Sequence, residues 1–328
     1  MKVVYNPRQA AHDPEHQINA AGIQPYPETQ ARVDAILDAL DATSFERITP
    51  QPIELDALYA VHTPDYIEHL RTAFDDWTKV SYSPELFGSS FVPRAAARRI
   101  GWYCADTYTT IVAGTFHAAL ASAETALTAA QFIAQGEQSV YALCRPPGHH
   151  AGPDYCGGFC FVNNAALAAN RLTRLGKVAV LDIDYHHGNG TQHIFYESPR
   201  VQFVSIHADP AHEYPYYSGY ADETGTGKGH GTTLNLPIPT GAPESRFMHA
   251  RATALEAIAR FSPQSLVISV GADVCEGDPE GSFQLSPESF ATIGQTIAQT
   301  ALPTLIVQEG GYLPDVLAAA ADSFLRQF

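Results

Sequence analysis

The sequence lacks the features that would mark a membrane, secreted or nucleic-acid-binding protein. No apolar run in its 328 residues is long enough to cross a membrane, and Met1–Pro7 is too short and too soon broken to be a signal peptide. The five cysteines are odd in number and have no CxxC spacing, which favours reduced thiols over a disulfide framework. No basic stripe accompanies the net charge of −16. We therefore expect a soluble cytoplasmic protein that binds neither nucleic acid nor membrane.

Repeats, low-complexity segments and long linkers are also absent, so one domain over residues 1–328 is predicted. Hydrophobic residues make up 45% of the chain, which is ample material for a core. The acidic balance is compatible with a cationic substrate, although solubility explains it as well.

Apolar runs typical of strands alternate with helical patterns along the chain. The predicted strands are Lys2–Tyr5, Val140–Cys144, Val178–Asp184, Val201–His207, Thr233–Pro237, Leu266–Gly271 and Thr304–Gln308. The predicted helices are Thr29–Leu40, Phe116–Ala134, Asn163–Leu175, Pro243–Ala259 and Pro287–Thr300. This alternation predicts an α/β fold with a mostly parallel sheet and helices on both faces.

The most informative segment follows the apolar run that begins at Val178. Asp182, Asp184 and His186 stand at alternate positions where that strand ends, so extended backbone would project them to the same side. Ligands of open α/β sheets bind at the carboxyl ends of strands. Because such polar side chains are costly to bury without a partner, the pattern indicates a divalent metal site.

Three further motifs follow strand-like runs. His149 and His150 lie in Arg-Pro-Pro-Gly-His-His, Asp273 ends Gly-Ala-Asp, and Tyr312 ends Glu-Gly-Gly-Tyr. Each has an ordinary structural explanation when taken singly, such as a turn or a helix N-cap. Their combination at strand ends indicates an active site.

These four motifs resemble those of the histone deacetylase family, and specifically its bacterial acetylpolyamine amidohydrolase branch. The resemblance runs from Tyr5 to the last helix, and His207–Pro210 and Ala221–Gly225 strengthen the match to that branch. It implies an arginase-like single domain around an eight-stranded parallel sheet. It also implies a zinc-dependent hydrolase that removes acetyl groups from amines.

The resemblance assigns a role to each matched residue. Asp184, His186 and Asp273 would bind one zinc ion, which leaves a coordination position for water and substrate. His149 and His150 would flank that water, the second being the better general base and then acid to the leaving amine. Tyr312 would donate its hydroxyl to the oxyanion.

Further residues would support these groups. Asp182 would orient His149, and Asn189 would orient His150. Asn189 stands where some family members carry Asp, so we expect the pKa of His150 to be lower than in those relatives. A structural potassium ion is implied as well, with ligands from Asp182, Asp184, His186, Ser205 and Ile206.

The substrate contacts are also implied by the resemblance. Phe159 and Tyr214 would line a tunnel around the methylenes of the substrate, and Gly158 would lie beside them. Glu280 matches an acidic gatekeeper of polyamine-selective members. It would pair with a distal ammonium and disfavour a protein backbone.

Residues 82–116 form an irregular insert that resembles the loop that narrows the entrance and builds a homodimer in the amidohydrolase branch. This insert carries Arg94, Arg98 and Arg99, whereas the branch tends to have glutamates where Ala97 and Tyr108 stand here. Arginines at the mouth would repel a polyamine, or they would bond across a dimer interface.

Alternative functions are an acetyl-lysine deacetylase, another small N-acyl amine deacylase, and a metal-binding pseudoenzyme that recognises acylated ligands. A two-manganese ureohydrolase of the same fold would need a further carboxylate where Cys275 stands. A thiol switch between Cys156 and Cys160 is less favoured than buried inert thiols.

Overall fold

The computed structural model describes residues 1–19, 21–41, 45–77 and 99–328. The first half of the predicted insert, residues 82–98 with Arg94, Ala97 and Arg98, lies outside the described residues. Arg99 and Tyr108 lie within them.

A parallel sheet of eight strands forms the centre of the fold, which confirms the predicted fold class. The strands in the described ranges are β1 Lys2–Val4, β2 His16–Asn19, β3 Gly22–Pro25, β4 Glu46–Ile48, β5 Ser139–Ala142, β6 Val178–Asp182, β7 Val201–Ala208, β8 Thr233–Ile238, β9 Ser265–Val270 and β10 Thr304–Gln308. The sheet order is β4-β1-β5-β10-β9-β6-β7-β8, and β2 and β3 pair separately as an antiparallel hairpin.

Helices cover both faces of the sheet. They are α1 Gln30–Asp41, α2 Pro64–Trp77, α3 Ile100–Tyr103, α4 Thr115–Ala134, α5 Asn164–Leu172, α6 Asn189–Phe195, α7 Glu244–Phe261, α8 Ser289–Ala298 and α9 Pro314–Leu325. None of the helices in the described ranges combines the length and the hydropathy needed to cross a membrane.

Strand β6 shows why the sheet is buried on both faces. Val178 and Val180 pack into one hydrophobic cluster, whereas Ala179 and Leu181 pack into the cluster on the opposite face. Each side chain of this strand is fully buried, so the continuous apolar run is the pattern that a central parallel strand requires.

Seven elements of the described ranges escaped prediction from the sequence, namely β2, β3, β4, α2, α3, α6 and α9. Strand β4 is a short, largely exposed edge strand without alternation of polar and apolar residues. The β2–β3 hairpin is likewise short, and its isoleucines, Ile18 and Ile23, are exposed. Helix α2 was missed even though Tyr66, Ile67 and Leu70 have helical spacing and are buried.

The register aligns the carboxyl ends of β6, β7, β9 and β10 along one edge of the sheet, the edge at which the parallel strands end. Asp182 pairs with Ser269 of β9 and with Ser205 of β7, and Gln308 of β10 pairs with Val270. The predicted motifs after β5, β6, β9 and β10 therefore meet at this edge.

Candidate metal centre and active site

Asp184, His186 and Asp273 form a compact cluster at this edge. One ligand atom of each lies within 4.8 Å of those of the other two. Strand β6 ends at Asp182, so the same-side alternation expected from the sequence does not continue to His186. The Asp182 carboxylate instead faces His149, and Asp273 from the loop after β9 completes the cluster.

The cluster fits a bound divalent cation. Both carboxylates are buried, and Oδ2 of Asp273 accepts no hydrogen bond, although Nδ1 of His186 lies 3.4 Å from it. Burial, together with the neighbouring Asp184, raises the pKa of Asp273 to about 8. Two buried carboxylates this close are unfavourable without a cation between them, and Asp/His oxygen and nitrogen donors suit zinc.

Two glycines leave room for these carboxylates. A Cβ on Gly271 would lie 2.1 Å from Oδ2 of Asp184, and one on Gly310 would lie 2.3 Å from Oδ2 of Asp273. The backbone N–H of Gly310 also donates to Oδ2 of Asp184 over 2.8 Å. The glycines of the Gly-Ala-Asp and Glu-Gly-Gly-Tyr motifs are therefore needed for space around the cluster.

His149 lies in a strongly anionic environment. Its Nδ1 is 3.0 Å from Oδ2 of Asp182, and its Nε2 is 3.7 Å from Oδ1 of Asp184. Burial opposes protonation, but the two carboxylates prevail and raise the pKa of His149 to about 10. A cation bound by the neighbouring cluster would oppose this rise.

His150 has a neutral hydrogen-bond partner and forms part of the cavity wall. Its Nδ1 is 2.7 Å from Oδ1 of Asn189. Burial, reinforced by His149 and His186, lowers its pKa well below the ordinary value. The predicted pairings of His149 with Asp182 and of His150 with Asn189 are both present, and their catalytic roles remain predictions.

A cavity of about 440 Å³ leads from the surface to His150 and His186. Phe159, Tyr214 and Tyr312, all predicted site residues, line it. The rings of Tyr214 and His150 pack edge to face, with 4.8 Å between their centroids.

Gly158 and Phe159 adopt backbone conformations that place the wall close to His150. A Cβ on Gly158 would lie 2.2 Å from Cδ2 of His150, so no other residue fits without displacement of that ring. Phe159 has a φ of 67°, which is rare for a bulky residue and is held by a hydrogen bond from its N–H to Thr109.

Asp106 organises this wall, and no pattern in the sequence marks it for this role. Its Oδ2 accepts hydrogen bonds from the Gly158 N–H at 2.6 Å and the Tyr214 hydroxyl at 2.9 Å. Its Oδ1 accepts from the N–H groups of Tyr108 and Thr109. The buried Asp106 carboxylate thus connects residues 106–109 of the predicted insert to Gly158 and Tyr214 in the cavity wall.

The Glu309 side chain positions the histidine pair by accepting hydrogen bonds from the backbone of the histidine motif. Its Oε2 accepts from the N–H groups of Gly148 at 2.6 Å and His149 at 3.2 Å. Burial raises its pKa to about 7. The motif Glu-Gly-Gly-Tyr was recognised for Tyr312 alone, so this contribution was missed.

Arg32 and Asp278 hold Tyr312 from two sides. The guanidinium of Arg32 lies 4.9 Å from the centre of the Tyr312 ring and donates to the carbonyl oxygens of Glu309 and Gly311. Asp278 accepts the Tyr312 N–H at 2.7 Å and the Glu280 N–H at 3.0 Å. Neither residue was singled out from the sequence, because each acts through distant backbone groups.

Two carboxylates form one wall of the cavity. Glu280 lines it as expected, and Glu213, which the sequence reasoning passed over, lines it too. The Tyr185 hydroxyl donates to Oε1 of Glu213 over 3.0 Å. The described residues that line the cavity include neither lysine nor arginine.

Three of the residues predicted to bind potassium, Asp182, Ser205 and Ile206, are neighbours in the sheet, whereas Asp184 and His186 lie just beyond β6. Asp182 of β6 pairs with Ser205 of β7, and Ile206 follows it. The Ser205 hydroxyl lies 2.8 Å from Nδ1 of His207, and Oδ1 of Asp182 accepts the Asp184 N–H at 3.2 Å. This arrangement leaves the potassium assignment a prediction.

The remaining predictions concern cysteine. Cys275 is buried two residues after Asp273, at the position where a second metal would need a carboxylate. The backbones of Cys104 and Cys156 form an isolated parallel β-bridge, whereas the thiol of Cys160 contacts the Gly158 carbonyl. The five cysteines are free and buried.

Comparisons with known proteins agree on the family. The histone deacetylase domain matches residues 26–328. The acetylpolyamine amidohydrolase of Mycoplana ramosa is 40% identical, with 96% of each chain covered. The crystal structure of an acetylpolyamine aminohydrolase from Burkholderia pseudomallei superposes with a TM-score of 0.97 at 37% identity and covers 100% of this chain and 98% of that one.

A more distant structure, the HDA15 HD domain, superposes with a TM-score of 0.82 at 29% identity and covers 99% of this chain and 86% of the other. The sequence match, the superpositions and the grouped strand-end motifs all lead to the same assignment. The chain belongs to the histone deacetylase family.

Proposed function

We propose that this protein is a zinc-dependent amidohydrolase that removes the acetyl group from N-acetylated polyamines such as acetylputrescine and acetylspermidine. The main support for this proposal is the shape and lining of the cavity. His150 and His186 lie at its inner end, and Glu213 and Glu280 also line it. An amide at the inner end and a distal ammonium beside this wall match the two ends of such a substrate. The names of the relatives from M. ramosa and B. pseudomallei support the same substrate class.

Asp184, His186 and Asp273 would hold the zinc ion, which would supply Lewis acidity toward the amide carbonyl and acidify a water molecule. His150 takes a proton from the attacking water at Nε2. It returns this proton to the amine nitrogen as the C–N bond breaks, so that acetate and the free amine leave.

His149 and Tyr312 complete the reaction. The charged surroundings of His149 hold its ring beside the reacting water, with Asp182 at the other ring nitrogen. Tyr312 donates its hydroxyl to the oxygen that becomes negative during attack. Asn189 would orient His150 in the same way as Asp182 orients His149.

Further parts of the proposal concern a second ion, the domain, the oligomeric state and the cellular compartment. We place a structural potassium ion at Asp182, Asp184, His186, Ser205 and Ile206. We further propose one catalytic domain over residues 1–328, with the 82–116 insert at the entrance and in a homodimer interface. The buried free cysteines suit a reducing cytoplasm.

Initial rates on N-acetylputrescine, N8-acetylspermidine and an acetyl-lysine peptide test the substrate proposal. We expect a strong preference for the acetylpolyamines. Glu280→Gln and Glu213→Gln should each raise KM for them by about tenfold, because a desolvated ammonium loses its counter-ion. The peptide should be affected much less.

Glu256→Gln is a matched control, since Glu256 is exposed on helix α7 and pairs with Arg260. Equal or faster turnover of the peptide by the unaltered enzyme would refute the polyamine proposal and favour a general acetyl-lysine deacetylase. Absence of turnover with every acylated amine would instead favour an acyl-binding pseudoenzyme.

Metal analysis tests the centre independently of activity. We expect about one zinc ion per chain in the purified protein, and loss of that ion in Asp273→Ala. About two manganese ions per chain would overturn the mononuclear assignment and support a ureohydrolase. Light scattering on the same sample tests the homodimer, and a monomer would remove that part of the proposal.

A further inference from the structure

A tight two-residue turn carries Phe159 into the cavity wall. The backbones of Gly157 and Cys160 form an antiparallel bridge, in which the N–H of each residue donates to the carbonyl oxygen of the other, over 3.1 and 2.9 Å. Between them, Gly158 and Phe159 have φ angles of 53° and 67°. Two positive φ angles in succession are typical of a type I′ turn, in which a phenylalanine is unfavourable. The turn therefore depends on contacts outside it to keep the Phe159 ring in place.

Residues 106–109 provide these contacts at both N–H groups of the turn. Oδ2 of Asp106 accepts the N–H of Gly158 over 2.6 Å. Oγ1 of Thr109 accepts the N–H of Phe159 over 3.1 Å, and the N–H of Thr109 donates to Oδ1 of Asp106 over 2.9 Å. Asp106 thus holds Gly158 directly and Phe159 through Thr109.

The same oxygen of Asp106 holds a second aromatic residue of the cavity wall. The Tyr214 hydroxyl donates to Oδ2 over 2.9 Å. The ring of Tyr214 packs against His150, whereas the ring of Phe159 packs against Tyr312. The two rings therefore belong to different parts of the wall, and one carboxylate connects them.

Only a carboxylate can satisfy all of the groups around Asp106. The N–H of Tyr108 also donates to Oδ1, so each carboxylate oxygen accepts two hydrogen bonds. An asparagine amide would turn its N–H₂ group toward one of these two pairs of donors, where it cannot accept. Asp106 is 8% exposed, so water would replace a lost partner poorly.

We infer that Asp106 is a positioning residue that fixes the spacing of the Phe159 and Tyr214 rings and thereby restricts the cavity to narrow, unbranched chains such as the methylenes of a polyamine. The inference rests on the proposed deacetylase activity and names the feature of the substrate that this part of the wall selects. Without Asp106 the rings can move apart, so a narrow chain loses contact with them and a wider chain is admitted. The ratio of kcat/KM for a narrow and a wide substrate should therefore fall.

Two acetylated diamines of different width test the inference. N-acetylputrescine is narrow, whereas mono-N-acetyl-p-xylylenediamine carries the same acetamide and a distal ammonium on opposite sides of a benzene ring. In Asp106→Asn the narrow-to-wide ratio of kcat/KM should fall about tenfold, because hydrogen bonds to a charged group are lost. In Thr109→Val it should fall about threefold, because a neutral acceptor is lost and the carboxylate remains.

Hydrogen exchange measures the support of the turn without any turnover. We expect mass spectrometry of peptides across residues 155–162 of the zinc-loaded enzyme to show slow exchange at Gly158 and Phe159. In Asp106→Asn and in Thr109→Val this exchange should be about tenfold faster, because the N–H groups of the turn lose their acceptors.

Thr128→Val is the matched control. Oγ1 of Thr128 likewise accepts a backbone N–H, that of Gln51 over 3.0 Å, and Thr128 is buried as Thr109 is. Thr128 lies on helix α4, however, and does not line the cavity. Thr128→Val should leave both the exchange of the turn and the ratio of kcat/KM unchanged.

Unchanged exchange at Gly158 in Asp106→Asn would overturn the inference. An unchanged ratio of kcat/KM in both variants would overturn it too, and so would an equal fall in Thr128→Val, which would indicate a general packing effect. If Asp106→Asn does not fold, Thr109→Val provides the same two readouts. An unaltered enzyme that turns over no acylated amine would refute the proposed function instead, whereas the exchange measurement would still decide whether Asp106 holds the turn.

Discussion

The two sides of the histidine pair differ sharply in charge, although the rings lie only 4.0 Å apart between centroids. On one side, the carboxylates of Asp182 and Asp184 surround His149. On the other side, the neutral amide of Asn189 and two tyrosine hydroxyls support His150. Two adjacent histidines thus have different hydrogen-bond partners, which are carboxylates for His149 and a neutral amide for His150.

This difference supports the separate roles proposed for the pair. The carboxylates raise the pKa of His149 above neutrality, whereas burial, with the neighbouring histidines, lowers that of His150. A base must be unprotonated before it can act, so the neutral side is suited to accept a proton and the anionic side to hold a positive charge. Two titratable groups whose surroundings separate their pKa values are a common basis for an acid–base assignment.

Removal of one ring at a time is the strongest way to break this comparison. His150→Ala should lower kcat/KM by about 10³-fold, because the general base is lost. His149→Ala should cost less, about 10- to 100-fold, because it removes only support for the reacting water. Steady-state rates on N-acetylputrescine measure both, and a larger loss in His149→Ala would reverse the assignment.

Tyr312→Phe should show a loss that depends on neither side of the pair. The missing oxyanion donor should lower kcat by about 10²-fold, equivalent to about 3 kcal/mol of barrier. The phenylalanine keeps the ring over Arg32, so circular dichroism and thermal unfolding should match the parent. A kcat within threefold or so of the parent would remove Tyr312 from the mechanism.

Asn189→Asp places a carboxylate beside His150, as Asp182 already does beside His149. The new carboxylate should raise the pKa of His150, so His150 remains protonated, and inactive as a base, up to a higher pH. We expect the acidic limb of the kcat/KM profile to move up by about one pH unit. An unmoved limb would show that another group controls it.

The smallest effect concerns histidines that, like His150, burial keeps neutral. Burial lowers the pKa of His62 and of His207 to about 4, below the value of about 6.5 in the unfolded chain. The unfolded state therefore takes up protons first as the pH falls through about 6.5. The free energy of unfolding should fall by about 1 kcal/mol per histidine between about pH 7.5 and 5.5.

Urea unfolding at these two pH values measures this loss. His62→Gln removes one titrating group, and its amide can replace the hydrogen bonds to Gly152 and Asn163. This variant should lose less stability on acidification than the parent does. An unchanged pH dependence in His62→Gln would mean that His62 contributes nothing to it.

The sequence predicted the parts of the site that follow buried strands. The apolar run of β6 has a clear pattern, and side chains just beyond such a run must lie at the edge of the sheet. The family resemblance then joined Asp273 and Tyr312 to the same centre. The strand-end motifs therefore follow from local patterns, whereas their grouping into one centre required the resemblance.

The supporting residues could not be predicted in the same way. Asp106 acts through the backbone of Gly158, and Glu309 acts through that of His149, 52 and 160 residues away along the chain. Backbone N–H groups are the same in nearly every residue, so no side-chain pattern marks the partner. Glu213 was missed for a related reason, since only the path of its loop brings it to the cavity beside Glu280.

Asp278 has a consequence for how this enzyme can evolve. The Asp278 carboxylate accepts the N–H of Tyr312 and the N–H of Glu280, so an insertion or deletion that moves the loop around Glu280 also moves Tyr312, the proposed oxyanion donor. We therefore expect changes of substrate in this chain to come from exchanged side chains on an unchanged backbone. Diversification at this entrance should proceed by point substitutions at position 280, while Asp278 and the loop length are retained.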